Sequence, residues 1–206
     1  MSHPTGNPAL DHVLGADPPA ATMARLRSDL AQTADTEGLL DVGYDVADTP
    51  IGSLLLAATP TGLVRVAFES EGREAVLAEL AERISPRILR SPQRLAPVTA
   101  QVAEYFEGRR RQFSIAVDLS LVAGFRREVL DVLQAVPFGH RVTYTTLAAR
   151  SGRERAVRAA ASACATNPVP VVVPCHRVVR SDGSLGGYRG GLAAKETLLA
   201  LEARAA

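Results

Sequence analysis

The sequence predicts an α+β domain followed by an all-α domain that contains a helix-turn-helix. Three observations carry this. Apolar stretches at 42–48, 53–59 and 63–68 are punctuated by Pro50, Gly52, Pro60 and Gly62, as in antiparallel strands joined by tight turns. Two stretches of helical spacing follow, at 74–84 and 93–107. From Ala123 the pattern is helical and stays so. The predicted division is 1–40 as an N-terminal extension, 41–118 as the α+β domain and 119–206 as the helical domain.

Composition bounds the function classes. Hydrophobic residues make up 47 % and charged residues 22 % of 206, ordinary for a globular chain with a real core. No apolar run approaches a membrane span, and the start, Met1-Ser2-His3-Pro4, lacks the order of a secretory signal. Two cysteines, Cys164 and Cys175, make no disulfide framework. With four scattered histidines they also argue against structural zinc, so no metal and no cofactor is expected. The expected setting is reducing and cytoplasmic, with free thiols. Net charge is +1, yet residues 140–190 hold eight arginines against two acids, Glu154 and Asp182. That asymmetry suits contact with a polyanion; charge alone equally describes a solvated basic face.

Residues 1–38 are rich in Pro, Ala, Gly and Asp. A short helix fits 20–31, but no core-building pattern is present, and the segment reads as a mobile arm. In the first domain, Ala75, Val76, Leu77, Leu80 and Ile84 space one helix; Leu95, Val98, Val102, Tyr105 and Phe106 face inward from a second, which Gly108 ends. A further strand is expected over 112–117. In the second domain Phe125, Val129, Leu133 and Val136 space a helix stopped by Pro137 and Gly139. Thr143 is placed to cap a short helix through Ala149, and Ser151-Gly152 turns the chain into a helix over 155–166. Two short helices around a Gly turn have helix-turn-helix form. In the second of them Arg155, Arg158, Ala159 and Ser162 share a face that is basic at its start and otherwise small. Such a face approaches a duplex closely with little base readout, in keeping with sequence-independent or minor-groove binding. Alanines also serve plain helix propensity and packing.

The candidate chemistry lies at Pro174-Cys175-His176-Arg177-Val178, at the end of the apolar run Pro170-Val171-Val172-Val173, which reads as a buried strand. A Gly-rich loop follows, Gly186-Gly187-Tyr188-Arg189-Gly190-Gly191. With Arg155-Ala156-Val157-Arg158, Asn167-Pro168-Val169-Pro170 and Lys195, these motifs resemble the O(6)-alkylguanine-DNA alkyltransferases. The resemblance is close over 137–202. It runs more loosely back to about 43, through Thr49-Pro50-Ile51-Gly52 and Tyr105-Phe106-Glu107-Gly108, and does not cover 1–40.

The resemblance implies a ribonuclease H-like first domain, and a repair protein that acts once. It moves an alkyl group from O(6) of guanine in double-stranded DNA onto its own cysteine, irreversibly and without a cofactor. By position, Cys175 is the acceptor, His176 activates it through a water, and Glu202 orients the histidine. Asn167 braces the turn beneath the site, and Tyr188 assists the leaving guanine. Pro170, Val178, Gly187, Arg189 and Gly190 wall the base pocket. The base must leave the stack to be reached. Arg158 matches the arginine that fills the gap, and Tyr144 the tyrosine that turns the target phosphate. Arg155, Ala159 and Ser162 complete the DNA contact, and the protein is expected to be a monomer.

The chain departs from the family at Val122-Ala123-Gly124-Phe125-Arg126 and Leu130, where Gly-Thr-x-Phe-Gln and a Trp are common; it has no Trp. Two alternatives stand beside this reading. One is a protein that recognises alkylated DNA without transfer; the other is a Cys–His hydrolase. Cys175 argues against the first, and the lack of any marked oxyanion site against the second.

Overall fold

A computed structural model describes residues 19–205. The order is α1 (Ala20–Thr36), β1 (Val42–Thr49), β2 (Gly52–Thr59), β3 (Gly62–Phe68), α2 (Arg73–Arg83), β4 (Ile88–Arg90) and α3 (Pro92–Phe106). There follow α4 (Phe125–Gln134), β5 (Val142–Thr143), α5 (Tyr144–Arg150), α6 (Val157–Ala165), β6 (Val178–Val179) and α7 (Gly191–Ala205). Strands β1–β3 form the expected antiparallel meander, with Thr49 opposite Gly52 and Thr59 opposite Gly62 across the two turns. The sheet order is β3-β2-β1-β4. The short β4, absent from the sequence reading, lies parallel to β1 at the edge.

Leu54 to Ala58 are all buried because both sheet faces are covered, which explains a continuous apolar run where alternation would mark a half-exposed strand. One face packs on α2 through Leu55, Ala57, Val64, Val76 and Leu80. The other joins a single apolar cluster that continues from Leu56 and Tyr105 to Leu133, Leu147 and Cys175. The two halves of the chain therefore share a core.

Three local expectations are corrected. Residues 112–117 form no strand: Leu63 makes one isolated parallel bridge to Val117. The backbone of Ala116 comes so near Gly62 that a Cβ there would lie 2.3 Å from its carbonyl oxygen. The short helix expected over 20–31 is longer, a 17-residue helix over Ala20–Thr36. Only Ala31 of α1 is buried, and polar contacts hold the helix: Asp35 to Arg94, and Ser28 Oγ, which accepts from Gln93 at 3.0 Å. That is why no apolar stripe announced it. Residues 1–18 of the expected arm lie outside the described residues. Finally, the helix-turn-helix domain is not purely helical, since Val142–Thr143 pair in parallel with Val178–Val179.

Candidate active site

The run 169–173 is a buried turn, not the expected strand. Asn167 organises it: its Nδ2 donates to Val173 O (2.8 Å) and its Oδ1 accepts from Val169 N (3.0 Å). Val173 N bonds back to Val169 O at 2.9 Å. Val171 sits at φ 73°, a conformation costly for a β-branched residue and tolerated where the surroundings fix it. Pro170, expected in the pocket wall, is buried in this turn. From its far end Cys175–Arg177 make one 3₁₀ turn that buries all three side chains.

His176 is completely buried, and its Nε2 lies 2.8 Å from Glu202 Oε1, across from α7. Arg177 donates to the same carboxylate from Nε (3.0 Å to Oε2) and Nη2 (2.8 Å to Oε1), and from Nη1 to Val136 O (2.5 Å). Gly139 N donates to Oε2 at 3.0 Å. The last turn of the 15-residue α7 thus carries a fixed anion, and Glu202 is buried. Burial pushes its carboxyl up, but the bonds from His176 and Arg177 outweigh this and bring it down to about 2. Burial holds His176 below the ordinary histidine value against the pull of Glu202, so the ring is neutral. With Nε2–H given to Glu202, Nδ1 is the ring's acceptor, and among the described residues no group bonds to it.

Burial likewise pushes the Cys175 thiol up; Asn167 and the charge of Lys195 oppose it. At rest the group is a thiol, and it needs a base. Cys164 is also buried and pushed up, and it packs in the core. Lys195 is buried too. Its Nζ donates to Val178 O (2.7 Å) and to Leu185 O, tying β6 to the start of the Gly-rich loop.

An open groove of about 590 Å³ runs between α6 and the Gly-rich loop, and no residue of the Cys175–Arg177 turn lines it. Tyr144, Arg158, Ser162, Gly187, Tyr188 and Arg189 line it, as do Arg180 and Ala161. Of the expected residues, Pro170, Val178, Ala159, Arg155 and Gly190 do not. Arg155 precedes α6, in the turn, and so shares no helical face with Arg158. Tyr144 packs on the loop, within 3.1 Å of where a Gly186 Cβ would stand. The Tyr188 hydroxyl is buried and unpartnered. Burial raises its phenol, and negative charge on Cys175 would raise it further. Gly190 lies against Phe68 of β3, with Cε1 only 2.4 Å from a notional Cβ. Phe68 also meets the Tyr188 ring edge-on at 5.6 Å between centroids.

Sequence reasoning missed several members. Arg177 was within the recognised run, and Arg180 within the basic stretch. Tyr105 read as core, and Phe68 carried no signal, because contact across domains leaves none in local pattern. Among the described residues no group of three or more His, Cys, Asp or Glu is placed to hold a metal.

Fold and site define a class: an α+β domain packed on a helix-turn-helix domain that buries a cysteine–histidine–glutamate line and carries an open groove. Family models sharpen this. Residues 42–119 match the 6-O-methylguanine DNA methyltransferase ribonuclease-like domain, and residues 124–204 match the DNA binding domain of the same family. A methylated-DNA--protein-cysteine methyltransferase of Mycolicibacterium paratuberculosis is 36% identical over 163 residues, covering 79% of this chain and 93% of that protein. The Homo sapiens protein of that name is 38% identical over 162 residues, covering 75% and 77%. The crystal structure of Mycobacterium tuberculosis OGT in complex with DNA superposes with TM-score 0.70 at 30% identity, covering 80% of this chain and 94% of that one. The chain belongs to the 6-O-methylguanine DNA methyltransferase family.

Proposed function

We propose that this protein repairs O(6)-alkylguanine in double-stranded DNA by moving the alkyl group, once and irreversibly, to Cys175. The observation that carries the residue assignment is the geometry of His176. Its Nε2 is committed to Glu202, and its Nδ1 is left free one residue from the thiol. The Cys175 thiol gives its proton to Nδ1, directly or through a water. Sulfur bonds to the alkyl carbon as the bond from carbon to O(6) breaks. The leaving guanine takes up negative charge, which the unpartnered Tyr188 hydroxyl meets by donating a hydrogen bond or its proton. Burial keeps the thiol quiet until a base is flipped against it.

Arg158, exposed at the start of α6, fills the vacated stack, and its planar guanidinium suits that task. Tyr144 crowds the target phosphate, and Asn167 holds the acceptor turn. Gly187 and Arg189 receive the base from the groove side. Ser162 and Ala159 let the helix come close, and Arg155 adds charge at its approach. Pro170, Val178 and Gly190 act behind the groove, by shaping the turn and the loop. We take 41–118 as the bracing domain and 119–206 as the acceptor and DNA domain of a cytoplasmic monomer. No described helix is long and apolar enough to cross a membrane.

The test is intact-protein mass spectrometry after mixing with duplex DNA that carries one O(6)-methylguanine. The expected result is a gain of one methyl group on the Cys175 peptide, saturating at one per protein and lost in Cys175→Ser, which still binds the DNA. Binding without mass gain would make this a recognition protein instead.

A further inference from the structure

Glu202 and His176 lie in the helical domain, but a third member of their network comes from the other domain. Tyr105, in the last turn of α3, is 0% exposed. Its hydroxyl donates to Glu202 Oε1 at 2.8 Å and stands 3.4 Å from His176 Nε2. The ring is wedged among Phe106, Phe113 and Phe138, at centroid distances of 5.3, 5.2 and 6.1 Å. Three neighbouring aromatic rings thus decide where one hydroxyl points.

We propose that Tyr105 is a positioning residue for alkyl transfer, through which the N-terminal domain sets the angle and the charge of the carboxylate that orients His176. This rests on the reading of Cys175 as acceptor and His176 as its base. Oε1 is the meeting point: His176 Nε2, Arg177 Nη2 and the Tyr105 hydroxyl all converge on it. Arg177, anchored on Val136 O, neutralises the carboxylate, and Gly139 N holds Oε2, but both belong to the helical domain. Tyr105 links it to the N-terminal domain, because its ring is anchored in a separate helix. Its hydroxyl stays protonated, since burial and then the charge of Glu202 push it well above the ordinary phenol value. It is therefore a constant donor.

The sign of its effect follows. Remove the hydroxyl, and Oε1 loses a donor in a site closed to water. The carboxylate then draws harder on the imidazole N–H, and the protonated ring is favoured. The other charged groups acting on His176 are Arg177 of its own turn and Lys195 of α7; neither changes in Tyr105→Phe, and the ring packing is kept.

Transfer to Cys175 is timed by mass spectrometry, over a range of pH, with duplex O(6)-methylguanine and with free O(6)-benzylguanine. Expected for Tyr105→Phe is a loss of about ten-fold in the second-order rate constant on both substrates, the scale of one hydrogen bond to a charged group. The acid limb of the rate profile, and the His176 titration followed by NMR, should move to higher pH, and DNA affinity should hold. In a Glu202→Gln background the same change should add little further loss. An unchanged rate, or a slower rate with an unmoved acid limb, leaves Tyr105 a packing residue and overturns the proposal. Failure of the wild-type protein to alkylate Cys175 at all would instead overturn the reading beneath it.

Discussion

At the level of single residues, the site is a set of groups held in the charge state opposite to what burial alone would choose, or exactly in the one it chooses. Cys175 and His176 are both buried and both neutral, because a thiolate and an imidazolium are each penalised there. Glu202 is buried and ionised, because Arg177, His176, Tyr105 and Gly139 all donate to it. Stability should follow pH accordingly. His176 is depressed from 6.5, so the stability tied to its neutral form is complete above that value and fades as the pH falls. Glu202 is depressed from 4.5 to about 2, so its share is complete above pH 4.5 and lost as the pH falls toward 2. Urea midpoints should therefore drop below pH 6.5 and drop again below pH 4.5; a flat profile from pH 7 to pH 3 would rule out both. Glu202→Gln should shrink the lower step, leaving the part owed to Asp118 and other depressed carboxylates, and cost about 3–5 kcal/mol, since Arg177 is left buried without its anion.

Among the elements, the Gly-rich loop is the piece whose shape is set from outside. Lys195 pins its start through Val178 O and Leu185 O. Arg189 ties its end to Ala165 O at 3.2 Å and to Glu71 Oε2 at 3.1 Å. Phe68 closes against Gly190 so tightly that even a methyl group has no room. Gly190→Ala should push the loop off β3, destabilise by about 1–3 kcal/mol in urea unfolding, and slow transfer by displacing Tyr188. Phe68→Leu in the same chain should recover part of both losses, whereas additive losses would show that the loop is not held at this contact. The turn 169–173 is the contrasting case. It is held by its neighbour Asn167, while the adjoining Pro168 O accepts from Val66 N of β3 at 2.8 Å.

For the molecule as a whole, the first domain is part of the site. Tyr105 reaches Glu202, Phe68 reaches Tyr188 and Gly190, Glu71 holds Arg189, and Val66 of β3 bonds to Pro168 next to the turn 169–173. The apolar cluster is continuous through both halves. Calorimetry should therefore show one cooperative unfolding transition over residues 41–206, with agreement between the calorimetric and van't Hoff enthalpies. Two separated transitions would mean that the domains brace each other less than their contacts imply.

Local information carried much of this protein. Turn residues bounded β1 to β3, periodicity located α2 to α6 to within a few residues, and Pro174-Cys175-His176-Arg177-Val178 marked the candidate site, because such features depend on neighbours in the chain. What the tertiary structure alone decided were matters of long-range contact. The apolar run 170–173 turns instead of extending, because Asn167 and the buried partners around it satisfy its backbone. Helix α1 runs past the expected residue 31 to Thr36, where Asp35 meets Arg94 of α3. Tyr105 and Phe68 look like ordinary core residues in the sequence. They belong to the site only because folding brings residues 71 and 97 positions away, and the Gly-rich loop, against their rings.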